Sequence, residues 1–270
     1  MADISPELLS KLTELVKATA DRSPPSQSLL AYLRVSADLL NAVAWPTAAV
    51  VCVVLFRQQL ASFLGEVETI KVGSTEISRK LKQSEKEAGA GKGLSSAPSE
   101  GELRRAAEVE SLAANADIRI IEQQAEELAA EYERTRHTML PGDSRTRQME
   151  IVVSKMRTLA RAFYPLRHEF ANSASPGKRL MTIAALQVDP DFDMLDWLGA
   201  RLAVEKPFVG YHALVALLLA IRSPNAKAFL PTIEAALQNA EQARATLAND
   251  TDRIRTLDDA ERALAILKLQ

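Results

Sequence analysis

LLNAVAWPTAAVVCVVLF, residues 39–56, is the stretch of the sequence that most constrains the fold. It holds 18 consecutive residues without a formal charge, between Asp38 and Arg57. A helix of this length would reach about 27 Å, close to the roughly 30 Å hydrocarbon core of a bilayer. Nine of its residues are Leu, Val or Phe, and together they favour insertion by about 3–5 kcal/mol. The stretch predicts one transmembrane helix, and the alternative is the buried core helix of a soluble protein.

The charges on either side of this stretch predict its orientation. Residues 57–86 carry six Lys or Arg, whereas residues 1–38 carry four. The positive-inside rule therefore places the C-terminal side in the cytoplasm. The stretch begins nearly 40 residues into the chain, lacks a basic start and is not followed by a small-residue cleavage pattern. It is therefore predicted to be a permanent anchor rather than a secretory signal.

The composition of the chain favours an all-α protein. Aromatic residues are only 5% of the chain, and alanine and leucine are abundant, which leaves little material for a β-sheet. Lys and Arg number 33 against 35 Asp and Glu, a balance that argues against nucleic-acid binding. The lone cysteine, Cys52, lies in the apolar stretch, so no intramolecular disulfide or cysteine-based metal cluster can form. This usage fits a reducing compartment.

Residues 44–77, AWPTAAVVCVVLFRQQLASFLGEVETIKVGSTEI, carry a resemblance to known proteins. A Trp-Pro span that ends in Phe-Arg and continues into a short helix resembles an anchor segment of bacterial single-pass membrane proteins with helical cytoplasmic domains. The resemblance implies a bacterial inner-membrane protein that faces the cytoplasm. It covers about 35 of the 270 residues, and it transfers no activity and no functional residue.

The remaining sequence predicts a series of helical segments. Residues 87–101, EAGAGKGLSSAPSEG, contain four of the ten glycines and are predicted to be a flexible linker. Gly73 is expected to interrupt the segment before it. We expect one long amphipathic helix over 102–140, with a coiled coil as the self-associating alternative, and a HEAT- or armadillo-like stack over 144–270. The predicted organisation is an N-terminal helical arm (1–38), the span (39–56), a juxtamembrane helix (57–86), the linker (87–101), the long helix (102–140) and the helical domain (144–270).

Six basic residues form the first candidate binding site. They lie at the end of one predicted helix and the start of the next, so they could converge on one side of a helical hairpin. An anionic partner, a lipid head group or a nucleotide could bind there, and the alternative is a solvated basic face opposite the anionic inner leaflet. The six residues are Arg157, Arg161, Arg167, His168, Lys178 and Arg179.

Three other motifs invite a chemical interpretation. Ser175-Pro176-Gly177-Lys178-Arg179 is similar to part of a phosphate-binding loop, but it lacks the upstream glycine and the Ser or Thr after the lysine, so a helix start is favoured. The aspartates at 189, 191, 193 and 196 lack the glycine and glutamate of a calcium loop, and helix-dipole complementation accounts for them. Glu205, Tyr211 and His212 are the only acid-base candidates, with an ordinary helix start as the favoured alternative.

These observations predict a membrane-anchored helical interaction or regulatory module, a scaffold or adaptor without catalytic activity. The first alternative is a membrane effector of a bacterial stress or defence system, whose helical domain senses a signal and whose spans assemble. The second is a hydrolase that uses Glu205, Tyr211 and His212. The expected partners are the lipid bilayer, a protein of unknown identity and a second copy of the chain, with no nucleic acid, no cofactor and no metal.

Overall fold

The computed structural model describes residues 57–91, 97–114, 116–247 and 249–269, together with isolated positions before residue 57. Its contacts divide the chain into two compact units, Met1–Glu66 and Val67–Gln270. The predicted arm (1–38) and span (39–56) lie outside the described residues, apart from those isolated positions. Among the described helices, none is by itself long and apolar enough to cross a membrane. Pro207–Ile221 and Ala226–Glu241 meet that length and composition only as a pair, with a bend of 111° between them.

The described part of the chain is helical and contains no strand, which confirms the predicted all-α class. Short 3₁₀ turns at Tyr164–Leu166, Phe192–Met194, Ala226–Phe229 and Arg244–Leu247 join several of the helices. In chain order the α-helices are α1 (Arg57–Ala90), α2 (Glu100–Ala113), α3 (Ile118–Thr138), α4 (Asp143–Phe163), α5 (Arg167–Ala171), α6 (Pro176–Val188), α7 (Leu195–Val204), α8 (Pro207–Ile221), α9 (Leu230–Glu241) and α10 (Thr251–Leu269).

Helix α1 is longer and more continuous than the sequence predicted. The expectation that Gly73 interrupts it is wrong, because the helix runs unbroken to Ala90. A glycine inside a helix costs only about 1 kcal/mol relative to alanine, and burial of Ile77 and Leu81 in the core of the second unit offsets that cost. The predicted linker is also helical at both ends, up to Ala90 and from Glu100, while residues 92–96 lie outside the described residues.

The prediction of one helix over 102–140 is wrong. Helix α2 ends at Ala113, and α3 begins at Ile118 after Asp117, whose side chain accepts a hydrogen bond from the Arg119 backbone N–H. Both helices pack against α4, and the break allows each helix to turn its apolar face toward that helix. The amphipathic faces read from the sequence are therefore buried inside the protein.

Two helices form the centre of the second unit. Helix α4 packs against α2, α3 and α6, while α8 packs against α6, α7 and α10. Helix α8 is apolar along most of its length, and ten of its fifteen residues are buried. Helices α7, α9 and α10 complete the second half, where α9 packs against both α7 and α10. The core is continuous from α1 to α10, so the unit is one hydrophobic body.

Candidate functional site

The six basic residues predicted as an anion site are placed mostly in ion pairs. Arg157 is 2% exposed and lies 3.8 Å from Glu102. Arg179 is bound by Glu205, which also lies 3.7 Å from Arg201. The other contacts are Arg161 with Glu110 at 3.6 Å, Arg167 with Asp191 at 2.7 Å and Lys178 with Glu126 at 2.6 Å, whereas His168 is exposed.

These pairs point in different directions from the helices that carry them. The carboxylates that face Arg157 and Arg161 belong to α2. The carboxylate that faces Lys178 belongs to α3, and the carboxylate that faces Arg179 follows α7. An exposed ion pair contributes only about 0–1 kcal/mol, but it does neutralise the cation locally. The geometry gives no support to one open basic surface, and anion binding by this set stays a prediction.

The loop at residues 175–179, which resembles part of a phosphate site, is the start of α6, and a carboxylate of the protein already binds there. Ser175 caps α6, with its hydroxyl accepting a hydrogen bond from the Lys178 N–H. The Glu133 carboxylate accepts hydrogen bonds from the Ser175 hydroxyl and from the Gly177 N–H, the latter at 3.2 Å. An internal carboxylate therefore fills the position that a bound anion would take at this N-terminus.

Asp191, the central aspartate of this group, has structural partners. Asp191 accepts a hydrogen bond from the Asp193 N–H at 3.0 Å and pairs with Arg167. Burial and the Asp191 charge raise the pKa of Tyr164, whose ring lies 4.0 Å from the Arg167 guanidinium, to about 12. Within the described ranges, no three His, Cys, Asp or Glu side chains are grouped so that they could hold a metal ion.

The residues of the hydrolase alternative are separated into different contacts. His212 is fully buried, and the carboxylate that it contacts is Glu150, whose Oε1 lies 3.3 Å from His212 Nε2. Glu205 is instead committed to Arg179 and Arg201. The Tyr211 ring lies 5.3 Å from the His212 ring, edge to face. A general base must reach the substrate proton that it removes, and a fully buried imidazole does not reach a substrate at the surface.

His212 belongs to a buried chain of polar groups that we call the central network: Glu102, Glu150, Arg157, Gln187 and His212. Arg157 Nε donates to Gln187 Oε1 at 2.8 Å, and Gln187 Nε2 donates to the His212 carbonyl at 2.8 Å. The same amide nitrogen lies 3.3 Å from His212 Nδ1. The network therefore joins α2, α4, α6 and α8 through the middle of the unit.

The hydrogen-bond directions fix the orientation of the Gln187 amide. Because Arg157 can only donate, Gln187 presents its oxygen to Arg157 and its amide nitrogen to His212. The His212 Nε2 atom faces Glu150 outside good hydrogen-bond alignment. Burial alone would raise the pKa of Glu150, but His212 and Arg157 hold that pKa below its ordinary value. Glu150 is thus a carboxylate that completes a structural network.

Comparison with known proteins assigns no family. No family model matches the chain, and no curated protein or solved structure matches it.

A cleft of about 360 Å³ opens above the central network, where four helix ends meet. Its lining comes from the end of α3, the first two turns of α4, the start of α8 and the start of α10. Glu150 links the cleft to the network, since it lines the cleft while its carboxylate faces His212. The lining residues are Arg136, Arg145, Thr146, Met149, Glu150, Pro207, Phe208, Tyr211, Asp250 and Asp252.

The sequence analysis identified only Tyr211 among these residues. Arg136 and Arg145 lie on the two sides of the short turn between α3 and α4, so their nearness to one another could have been noticed at Pro141-Gly142-Asp143. Asp252 reaches the same cleft because α10 packs on α8. No local sequence pattern indicates that packing. This cleft is one of several concave sites on the described residues, and it combines charged groups with an aromatic wall.

Proposed function

We propose that this chain is a membrane-anchored helical binding module without catalytic activity. Residues 39–56 are the proposed anchor in a bacterial inner membrane, the second unit is the proposed cytoplasmic domain, and α1 is the segment between them. The observation that carries the proposal is the packing of the C-terminal part of α1 into the domain, because the predicted juxtamembrane helix (57–86) is thereby an element of the domain fold.

Several contacts hold this part of α1 in place. Ile77 is fully buried and Leu81 is 5% exposed, and both belong to the hydrophobic core. The hydroxyl groups of Ser84 and Ser154 lie 2.9 Å apart in the interior. Glu87 binds Arg105, Lys80 lies 2.6 Å from Glu108, and Arg147 donates to the Gly89 carbonyl at 2.6 Å. Residues 77–90 are therefore held in the domain by both apolar and polar contacts.

The non-catalytic part of the proposal rests on the central network. Its charged groups face one another in the interior, and buried polar groups that are paired in this way help to specify packing. We further propose that the helices from α4 onward stack in the manner of HEAT or armadillo repeats. The short connections between α6, α7 and α8 support this arrangement. Association of two copies through residues 102–140 remains a proposal, although the apolar faces of α2 and α3 are already buried.

Alkaline carbonate extraction of membranes tests the anchor. The full-length protein is compared with Val50→Arg, which places a charge in the apolar stretch, and with Val204→Arg, which places the same charge at a position that is 66% exposed. An arginine near the centre of a span costs about 2.5–3.5 kcal/mol, most of the favourable insertion energy. We expect the full-length protein and Val204→Arg to stay in the membrane and Val50→Arg to be released. Release of the full-length protein would show that residues 39–56 do not anchor it.

A further inference from the structure

We propose that the cleft between α3, α4, α8 and α10 binds a small organic anion, with a phosphate or carboxylate head group on Arg136 and Arg145 and a planar body against Phe208 and Tyr211. This inference deepens the proposed function, since it names the ligand class of the binding module. It does not depend on the membrane anchor, which carbonate extraction tests separately.

The two arginines of the cleft differ from most arginines of the domain. Arg167 and Arg179, for example, each pair with a carboxylate. Within the described part of the chain, Arg136 has the neutral Tyr132 hydroxyl as its hydrogen-bond acceptor, at 3.1 Å, and neither Arg136 nor Arg145 forms an ion pair. The Nε atom of Arg145 is buried and has no hydrogen-bond partner among the described residues. A buried donor without an acceptor is costly, so a shift of the Arg145 side chain that lets a bound oxyanion accept from Nε is favoured.

Two of the three acidic residues of the cleft are directed to partners outside it. Asp250 binds Arg253, accepting from its backbone N–H at 3.1 Å and from its Nε at 2.7 Å. Glu150 faces His212 in the central network. Asp252 is exposed and would oppose a second or third negative charge on the ligand. The cleft should therefore favour an anion of low charge over a polyanion.

The backbone of the cleft also favours an anion. The N-cap positions of α4 and α8 are Gly142 and Lys206, and neither gives its helix a side-chain cap. The first turns of both helices line the cleft. Uncapped N–H groups and the positive ends of helix dipoles attract anions, and two guanidinium groups match the oxygens of phosphate or carboxylate. Phe208 and Tyr211 add an aromatic surface suited to a ring.

Calorimetric titration of the full-length protein in detergent tests the site. The probes are adenosine monophosphate and benzoate, which carry a ring with a phosphate or a carboxylate head group, and inorganic phosphate and adenosine, which each carry one half of that combination. The variants are Arg145→Gln, Arg136→Gln and the control Arg119→Gln, whose arginine is 82% exposed beside Asp117, on the part of α3 away from the cleft.

We expect adenosine monophosphate or benzoate to bind more tightly than inorganic phosphate and adenosine, and the stronger of the two identifies the head group. Arg145→Gln and Arg136→Gln should each weaken that binding by about tenfold or more, because each removes a charge-assisted hydrogen bond. Arg119→Gln should leave the affinity unchanged. The proposal is overturned if neither adenosine monophosphate nor benzoate binds more tightly than inorganic phosphate and adenosine. It is also overturned if the cleft variants and Arg119→Gln have equal affinities.

Discussion

Gly177 packs directly against the backbone of Ala129, so that a Cβ atom on Gly177 would stand 2.3 Å from the Ala129 carbonyl oxygen. This contact sets the distance between α3 and α6. Real Cβ atoms do not come so close to a carbonyl oxygen, and the contacting group is backbone that cannot rotate away. The glycine that invited comparison with a phosphate-binding loop is therefore required by helix packing.

Gly177→Ala should separate α3 from α6 and lower the free energy of unfolding by at least about 2 kcal/mol, as overpacking of a close helix contact does. Gly89→Ala is the matched control, since a Cβ on Gly89 would meet nothing within 4 Å, and it should be neutral or stabilise the helix by up to about 1 kcal/mol. Urea unfolding followed by circular dichroism measures both. Equal stability of the two variants would contradict the close approach.

Ile77→Ala tests whether α1 belongs to the domain fold. Ile77 is fully buried, so the truncation should lower the free energy of unfolding by about 2–4 kcal/mol. Ile118→Ala is the control at a position that is 44% exposed, and it should change stability by less than about 0.5 kcal/mol. The same urea titration measures both variants. If Ile77→Ala were as mild as Ile118→Ala, α1 would not be packed in the core.

Glu150→Gln should reduce stability at neutral pH by about 1–3 kcal/mol, because it removes a charge that faces His212 and Arg157. The pKa of Glu150 in the folded protein lies below its ordinary value of 4.5. The carboxylate therefore contributes its full share of the folding stability above its ordinary pKa. That contribution is lost as the pH falls through the pKa of the folded state. The unfolding free energies of the original protein and the variant should converge below about pH 4.5.

The control for Glu150→Gln is Glu108→Gln, which removes a surface pair with Lys80. Exposed pairs contribute little, so this variant should stay close to the original protein at neutral pH. A Glu150→Gln effect as small as that of Glu108→Gln would mean that the central network does not stabilise the domain.

Arg244→Gln should destabilise the packing of α9 against α10. Arg244 binds three carboxylates, with Nε on Glu241, Nη1 at 2.7 Å from Asp258 and Nη2 at 3.1 Å from Glu261. Burial and the nearby Glu241 already raise the pKa of Glu261. Without the guanidinium the carboxylates repel one another and the folded state binds more protons, so the stability loss should be largest at neutral pH and shrink as the pH falls.

Thermal unfolding, repeated from neutral to acidic pH, measures the effect of Arg244→Gln. Arg262→Gln is its control, because Arg262 is 66% exposed and pairs with Asp259 within one helix turn. That variant should show a small loss with little dependence on pH. A loss for Arg244→Gln that did not change with pH would show that the three carboxylates do not interact through Arg244.

The sequence predicted the helix boundaries of the second unit best where a residue dictates them locally. Pro176 follows a serine cap, and Pro207 fixes the start of α8, so both helices begin where the sequence indicates. The break at Asp117 was missed because the alanine-rich residues before it have high helix propensity. The continuity of α1 was missed because it depends on the burial of Ile77 and Leu81 against distant helices.

The charged residues were harder to interpret from the sequence. Arg157 and Arg179 lie in a basic part of the sequence, but their carboxylate partners come from other helices, 55 and 26 residues away in the chain. A list of nearby cations cannot show which of them are neutralised by tertiary contacts. The cleft residues Arg136 and Arg145 also lie in short basic stretches, RTRH and RTR. They became candidates only when the described partners were known.

Residues 77–90 of α1 are part of the domain fold, and this packing is the observation behind the proposed function. Hydrogen exchange of the full-length protein in lipid vesicles tests it most directly, through the amides of residues 77–90. We predict that these amides exchange as slowly as those of α4, because they unfold with the core. If these amides exchanged at the rate of an unstructured peptide while α4 remained protected, residues 77–90 would not be part of the domain fold.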